Sequence, residues 1–299
     1  MPLHEQARAF LDKMASSPQP NDIPIAQFRQ AAANLITTGP QLQIGRVENL
    51  DIPGGDGQKM GLRIYVPEGE GPFPVFVWIH GGSFVRGTLD MFDAGRRAFT
   101  KASGCMVVAV DQRLSPEAQF PKPLEDAHAA LLWTFENAAR FGGNPALIGI
   151  AGESSGTNIA AALTLKVRDA KTPKLAFQVL LMPLVDAHCN TKSMNEFADG
   201  YVLTQRQLIW AYQQYAPNAD LNDPLISPLL AKDLSGLPPA VIVTIEFDPV
   251  RDEGEAYARR LAEAGVPVKS ARIPGMVHHF AGPDLIPTAA NLLRSLITC

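Results

Sequence analysis

The feature that most constrains this chain is a set of five short apolar runs, each rich in β-branched residues. They are PVFVWIH (74–80), CMVVAVD (105–111), ALIGIAG (146–152), FQVLLMP (177–183) and AVIVTIE (240–246). Runs this short and this continuously apolar fit strands buried on both faces, the condition of a mostly parallel sheet. VKSARIP (268–274) is a weaker strand of the same kind, while QIGRVENLDIP and GLRIYVP alternate more and fit an antiparallel entrance to the sheet. Helical periodicity lies between the runs at 123–140, 155–168, 250–264 and 284–297. Strand and helix in alternation predict a right-handed, doubly wound α/β fold.

Two segments stand outside that alternation. One is 1–42, with helical periodicity in HEQARAFLDKMA and AQFRQAAANLI; the other is 185–232, with TQRQLIWAYQQYA and the proline-punctuated DPLISPLL. Both read as excursions that pack together over one sheet edge. The expected division is therefore 1–42 as the N-terminal part of a helical cap and 43–184 as the first part of the core. A cap insertion over 185–232 and the second part of the core over 233–299 complete it.

Composition narrows the function classes. With 46% hydrophobic and 19% charged residues, 299 residues can bury a large core. The net charge of −4 comes with no lysine or arginine cluster, so nothing would neutralise a run of phosphates and no nucleic-acid partner is expected. Cys105, Cys189 and Cys299 are far apart and not in metal-ligand spacing, and read as reduced thiols. The opening MPLHEQARAFLDKMASS has no signal-peptide h-region, and no uncharged apolar run reaches the ~18 residues of a membrane span. The expectation is a soluble, cytoplasmic protein with no membrane partner.

The chemistry concentrates at strand ends. Gly152-Glu153-Ser154-Ser155-Gly156 directly follows the strand ALIGIA and precedes a helical segment. A tight strand-to-helix turn exposes the central hydroxyl, the flanking glycines relieve crowding, and the helix N-terminus favours developing negative charge. Alone, the pentapeptide fits a glycine-rich turn with a serine N-cap equally well. Three further features tip the reading. His80-Gly81-Gly82-Ser83-Phe84 follows the strand PVFVWI, and its glycines let backbone N–H groups turn toward a ligand, where they could form an oxyanion hole with the N–H of Ser155. Asp248 lies just past AVIVTIE, where a carboxylate can orient an imidazole; Asp186 is the rival acid, and Asp252 and Glu253 suit a helix start better. His278 and His279 lie on a loop after the last strand. The order Ser…Asp…His is that of an α/β-hydrolase triad.

With these residues in hand, the sequence resembles the hormone-sensitive-lipase-like family of bacterial esterases, within the α/β-hydrolase superfamily. HGGSF resembles the family's HGGGF, DQRLSPEAQFPKPLED its DYRLAPE…FPAALED block, and GESSGTNIAA its GDSAGGNLAA. DPVRDEG and GMVHHF resemble DPLRDEG and GMxHGF. The resemblance implies an α/β-hydrolase fold with a mostly parallel eight-stranded sheet and a helical cap. It implies Ser154 as nucleophile, Asp248 as acid and His278 as base, His279 falling on the family's glycine. The oxyanion donors would be the amides of Gly82, Ser83 and Ser155, with Gly81 setting the loop and His80 supporting it. Ser83, Gln112, Glu153 and Thr157 depart from the family pattern. Phe84, Phe197, Tyr201, Trp210, Tyr212 and Tyr215 are candidates for an apolar substrate pocket.

The implied activity is hydrolysis of short- to medium-chain carboxylic esters, with a small-molecule ester as the partner and neither metal nor organic cofactor. Same-fold hydrolases of amides, lactones or carbamates share the triad, and a non-catalytic ligand-binding relative is the alternative from another class. Homodimers are common among similar proteins.

Overall fold

The buried runs assemble into one eight-stranded sheet in the computed structural model, which describes residues 2–15, 17–33, 41–278 and 280–297. The strands are β1 (Arg46–Pro53), β2 (Lys59–Val66), β3 (Phe73–Ile79), β4 (Met106–Val110), β5 (Gly143–Glu153), β6 (Gln178–Leu181), β7 (Ala240–Phe247) and β8 (Val268–Val277). Their spatial order is β1-β2-β4-β3-β5-β6-β7-β8. β1 pairs with β2, and β2 with β4, antiparallel; every other neighbour is parallel. The alternation of runs predicts the α/β layering, and the strand order is that of the α/β-hydrolase fold which the family resemblance implies.

The helices are α1 (Glu5–Met14), α2 (Ile25–Ala33), α3 (Asp93–Ser103), α4 (Lys122–Asn137), α5 (Ser155–Ala170), α6 (Lys192–Glu196), α7 (Gln205–Tyr215), α8 (Arg251–Glu263) and α9 (Leu285–Ile297). Alternation along each strand sends side chains to opposite layers. On β3, Val75, Val77 and Ile79 join the cluster of α4, α5 and α8, while Phe76 and Trp78 join Phe99 of α3 and Leu293 of α9. Both sides of the sheet are thereby covered, which is why its central strands carry no polar alternation. Among the described residues no helix is long and apolar enough to cross a membrane.

Helix α3 is not visible in the hydrophobic periodicity. Its buried stripe is Asp93, Arg96, Phe99 and Thr100, helical in spacing but mostly polar. The two charged members are buried with partners: Asp93 receives hydrogen bonds from Tyr65 and Arg97, and Arg96 reaches across to Glu153.

The segments outside the α/β alternation lie near one another at the carboxyl ends of the parallel strands. His4 N–H donates to Gly275 O, and Phe10 of α1 stacks on Phe280 at 5.5 Å, beside the loop after β8. Arg29 of α2 donates to the carbonyls of Val85 and Ser115 and pairs with Glu117, tying α2 to the loops after β3 and β4. Phe28 meets Trp210 of α7 edge-on.

Candidate active site

The turn between β5 and α5 has room for a single residue. β5 ends at Glu153 and α5 begins at Ser155, leaving Ser154 at φ +50°, ψ −129°. A non-glycine residue in such a region costs about 1–3 kcal/mol and persists only where its surroundings hold it. Here Ser154 N–H donates to Leu181 O, and Ser154 O receives both the N–H and the hydroxyl of Thr157. The bracketing glycines allow the close approach: a Cβ on Gly156 would sit 2.3 Å from Ile79 O, and one on Gly152 2.6 Å from Gly156 O. Thr157, one of the departures from the family pattern, also accepts the Leu184 amide, so it braces the turn from below. Ser154→Gly should therefore melt about 2 °C above Ser154→Ala, reflecting about 1 kcal/mol of relieved backbone strain. Equal melting temperatures would show that the turn stores none.

A line of short contacts leads away from the Ser154 hydroxyl. Asp248, fully buried just past β7, accepts the Val250 N–H on Oδ1 at 3.0 Å and the Nδ1–H of His278 on Oδ2 at 2.8 Å. A carboxylate oxygen can only accept from that nitrogen, so the neutral ring presents an unprotonated Nε2. That nitrogen lies 2.8 Å from Ser154 Oγ, placed to receive the hydroxyl proton. His279 lies outside the described residues, as does Cys299. The rival acid, Asp186, pairs instead with His188, through a 2.8 Å contact to Nδ1. Asp252 and Glu253 fall in the first turn of α8. Glu253, which sequence reasoning leaves at a helix start, is fully buried and accepts the amides of Val185 and Asp186. Burial pushes its carboxyl well above the usual range.

The loop after β3 meets this turn directly. A Cβ on Gly81 would lie 3.1 Å from the Ser154 Cβ. Gly81 N–H is taken by Glu153 Oε1, while the amides of Gly82, Ser83 and Ser155 have no partner among the described residues. Gly82 has φ +116°, and a side chain there would run into Arg86 O at 2.1 Å. The Ser155 hydroxyl accepts the Phe84 N–H, joining loop to helix. Ser83 holds φ +56°, a left-handed conformation uncommon for a residue with a side chain; its hydroxyl accepts from Gln207 Nε2 of α7 at 3.2 Å, which anchors it.

Glu153, in the sequence only a departure from the family pattern, organises the loop. Its carboxylate accepts from Trp78 Nε1 at 2.8 Å, from Gly81 N–H and from both terminal nitrogens of Arg96. Arg96 in turn lies over the Trp78 ring. The pair is separated by 57 residues, so no local signal reveals it. His80 is held neutral, its pKa lowered to about 4 by burial, and its Nδ1–H donates to Gly81 O. Gln112 donates to His80 O.

Ser154, His278, Gly82 and Ser83 open into a cavity of about 390 Å³. Its walls come from Phe10 and Met14 of α1, Phe28 of α2, Phe92, Met182 and Val202, with Gln207 from α7. The six aromatics that the sequence offers for a substrate pocket are not among its lining residues. Phe84 stacks on Tyr215 at 4.1 Å and packs on Tyr212, and all three are buried. Phe197 and Tyr201 pack on Phe247, and Trp210 on Phe28. Large apolar rings satisfy themselves against each other in the core, and composition alone does not say which ones face a cleft.

Comparison with known proteins gives consistent matches. A protein-family model described as alpha/beta hydrolase fold matches residues 76–282. The chain is 38% identical over 267 residues to the carboxylic ester hydrolase LipN of Mycobacterium tuberculosis, covering 87% of this chain and 70% of that protein. It is 37% identical over 290 residues to an arylesterase of Saccharolobus solfataricus, covering 94% and 93%. A solved metagenomic ester hydrolase from Lake Arreo, in complex with a bipyridine phosphonate derivative, superposes with a TM-score of 0.92 at 33% identity, covering 99% and 100%.

Proposed function

The chain belongs to the α/β-hydrolase family, and from that premise we propose that it is a serine carboxylesterase acting on short- to medium-chain esters through an acyl-Ser154 intermediate. The observation that carries this reading is the relay from Ser154 Oγ through His278 to Asp248, with three unpartnered amides on the two turns that meet at that hydroxyl. As Oγ attacks the ester carbonyl, His278 Nε2 takes its proton and Asp248 stabilises the imidazolium. The amides of Gly82, Ser83 and Ser155 receive the oxyanion, each donor contributing about 3 kcal/mol in comparable sites. Gly81, whose N–H is engaged by Glu153, fixes the loop rather than donating. His278 then returns the proton to the leaving alcohol. Water, activated by the same imidazole, releases the acid and regenerates the hydroxyl.

In this reading residues 1–42 and 185–232 act as the cap, closing the apolar cavity over a core formed by 43–184 and 233–299. The dispersed cysteines, of which Cys105 and Cys189 are buried free thiols, suit a reducing, cytoplasmic setting. A cavity of about 390 Å³ with mostly apolar walls accommodates a modest acyl chain. Across p-nitrophenyl esters of increasing length, kcat/KM should peak between acetate and octanoate and decline beyond. A protein that turns over none of them, or prefers the longest, would contradict the assignment.

A further inference from the structure

One wall of the catalytic cavity carries a charge that the esterase reading does not use. Arg86 follows the oxyanion loop, and its Cγ would lie 3.0 Å from a Cβ on Gly82, which places its stem against that loop. Arg86 lines the same cavity as Ser154 and His278. Its Nε is buried without a hydrogen-bond partner, and no ion pair of its side chain is found among the described residues. Its neighbour is the Phe28 ring, 4.3 Å from Cζ to the ring centre. Stacking on a ring leaves the in-plane N–H donors of a guanidinium available.

The contrast with the other arginine nearby is informative. Arg96 is buried, but it is neutralised by a two-point contact with Glu153. Among the described residues Glu153 is the sole carboxylate lining the cavity, and Arg96 already occupies it; Lys13, exposed at the rim, adds a second positive charge. Burial alone lowers the Arg86 pKa to about 10, which leaves it charged at neutral pH. A partly buried cation without a counter-charge is unfavourable unless something supplies one. Carboxylates match the planar donor fork of arginine.

We propose that Arg86 selects esters bearing a second, anionic group, a carboxylate on the acyl chain or on the alcohol, and seats that carboxylate against the guanidinium beside the oxyanion loop. This rests on the esterase reading for its reaction, but the binding site it names can be tested separately. Two matched pairs separate the acyl from the alcohol side: mono-p-nitrophenyl adipate against p-nitrophenyl hexanoate, and 4-carboxyphenyl butyrate against 4-(methoxycarbonyl)phenyl butyrate. In Arg86→Met the ratio of kcat/KM for the charged member over the neutral one should fall at least about tenfold relative to wild type on one arm, mainly through KM. Arg86→Lys should recover part of that ratio, because charge is restored without the planar fork. A ratio within twofold of wild type on both arms would overturn the proposal.

Binding provides the readout that does not depend on turnover or on a variant folding. By titration calorimetry the wild-type protein should bind adipate at least about tenfold more tightly than the neutral adipamide. Equal binding of the two would also overturn the proposal. Absence of turnover of every ester, with adipate still preferred, would instead remove the esterase reading and leave the anion site standing.

Discussion

Ser154→Ala is expected to lower kcat for p-nitrophenyl butyrate by on the order of 10⁵–10⁶-fold, the scale seen when a triad serine acts as one unit with its base. The size follows from what is removed. Without Oγ no covalent intermediate forms, and His278 has no hydroxyl to activate. The amides at Gly82, Ser83 and Ser155 and the cavity remain, so a residual acceleration over water persists. Alanine retains the strained backbone at position 154, and the elbow's hydrogen bonds are made by main-chain atoms of that residue. The variant should fold and bind a product acid normally, which separates lost chemistry from lost structure. Undiminished turnover would remove Ser154 from the mechanism.

Asp248→Asn is expected to lower kcat at neutral pH by on the order of 10⁴-fold while leaving the fold intact. The substituted side chain would be nearly isosteric, and its oxygen could still accept the Val250 N–H that Oδ1 accepts now. The amide NH₂ would then face Nδ1 of His278 as a donor. That reverses the ring's tautomer: Nδ1 becomes the acceptor, and the proton moves to Nε2, where Ser154 requires a free lone pair. Substrate affinity should change little, because Asp248 is fully buried behind the histidine and does not line the cavity. A variant that keeps kcat within tenfold of wild type would show that the aspartate does not set the imidazole's proton position.

Much of the fold was legible because the central strands are buried on both faces. Such strands announce themselves as continuous apolar runs, and β3 to β7 fall within a few residues of the expected positions. Helix α3 was not legible, since its inward stripe is polar and its burial depends on partners supplied by distant strands. At the site, the residue types and their chain order pointed to Ser154, to Asp248 and to the pair His278 and His279, of which the family resemblance favoured His278; Ser154, His278 and Asp248 stand in hydrogen-bonded sequence. The roles of Glu153 and Arg96 could not be read from sequence, because a buried ion pair is defined by tertiary proximity alone. The same is true of the cavity walls. They come from short stretches of α1, α2 and the loops after β3 and β6, and not from the more conspicuous aromatic residues of 197–215.

The central claim is that the Ser154 hydroxyl, with its proton directed to His278, is the atom that becomes acylated. The most direct measurement is reaction of the wild-type protein with a p-nitrophenyl alkylphosphonate, followed by intact-mass and peptide mass spectrometry. The expected result is release of one equivalent of p-nitrophenolate per chain, a single phosphonyl adduct on Ser154, and loss of esterase activity in step with labelling. An unlabelled Ser154, or an adduct on any other residue accompanying the loss of activity, would contradict it.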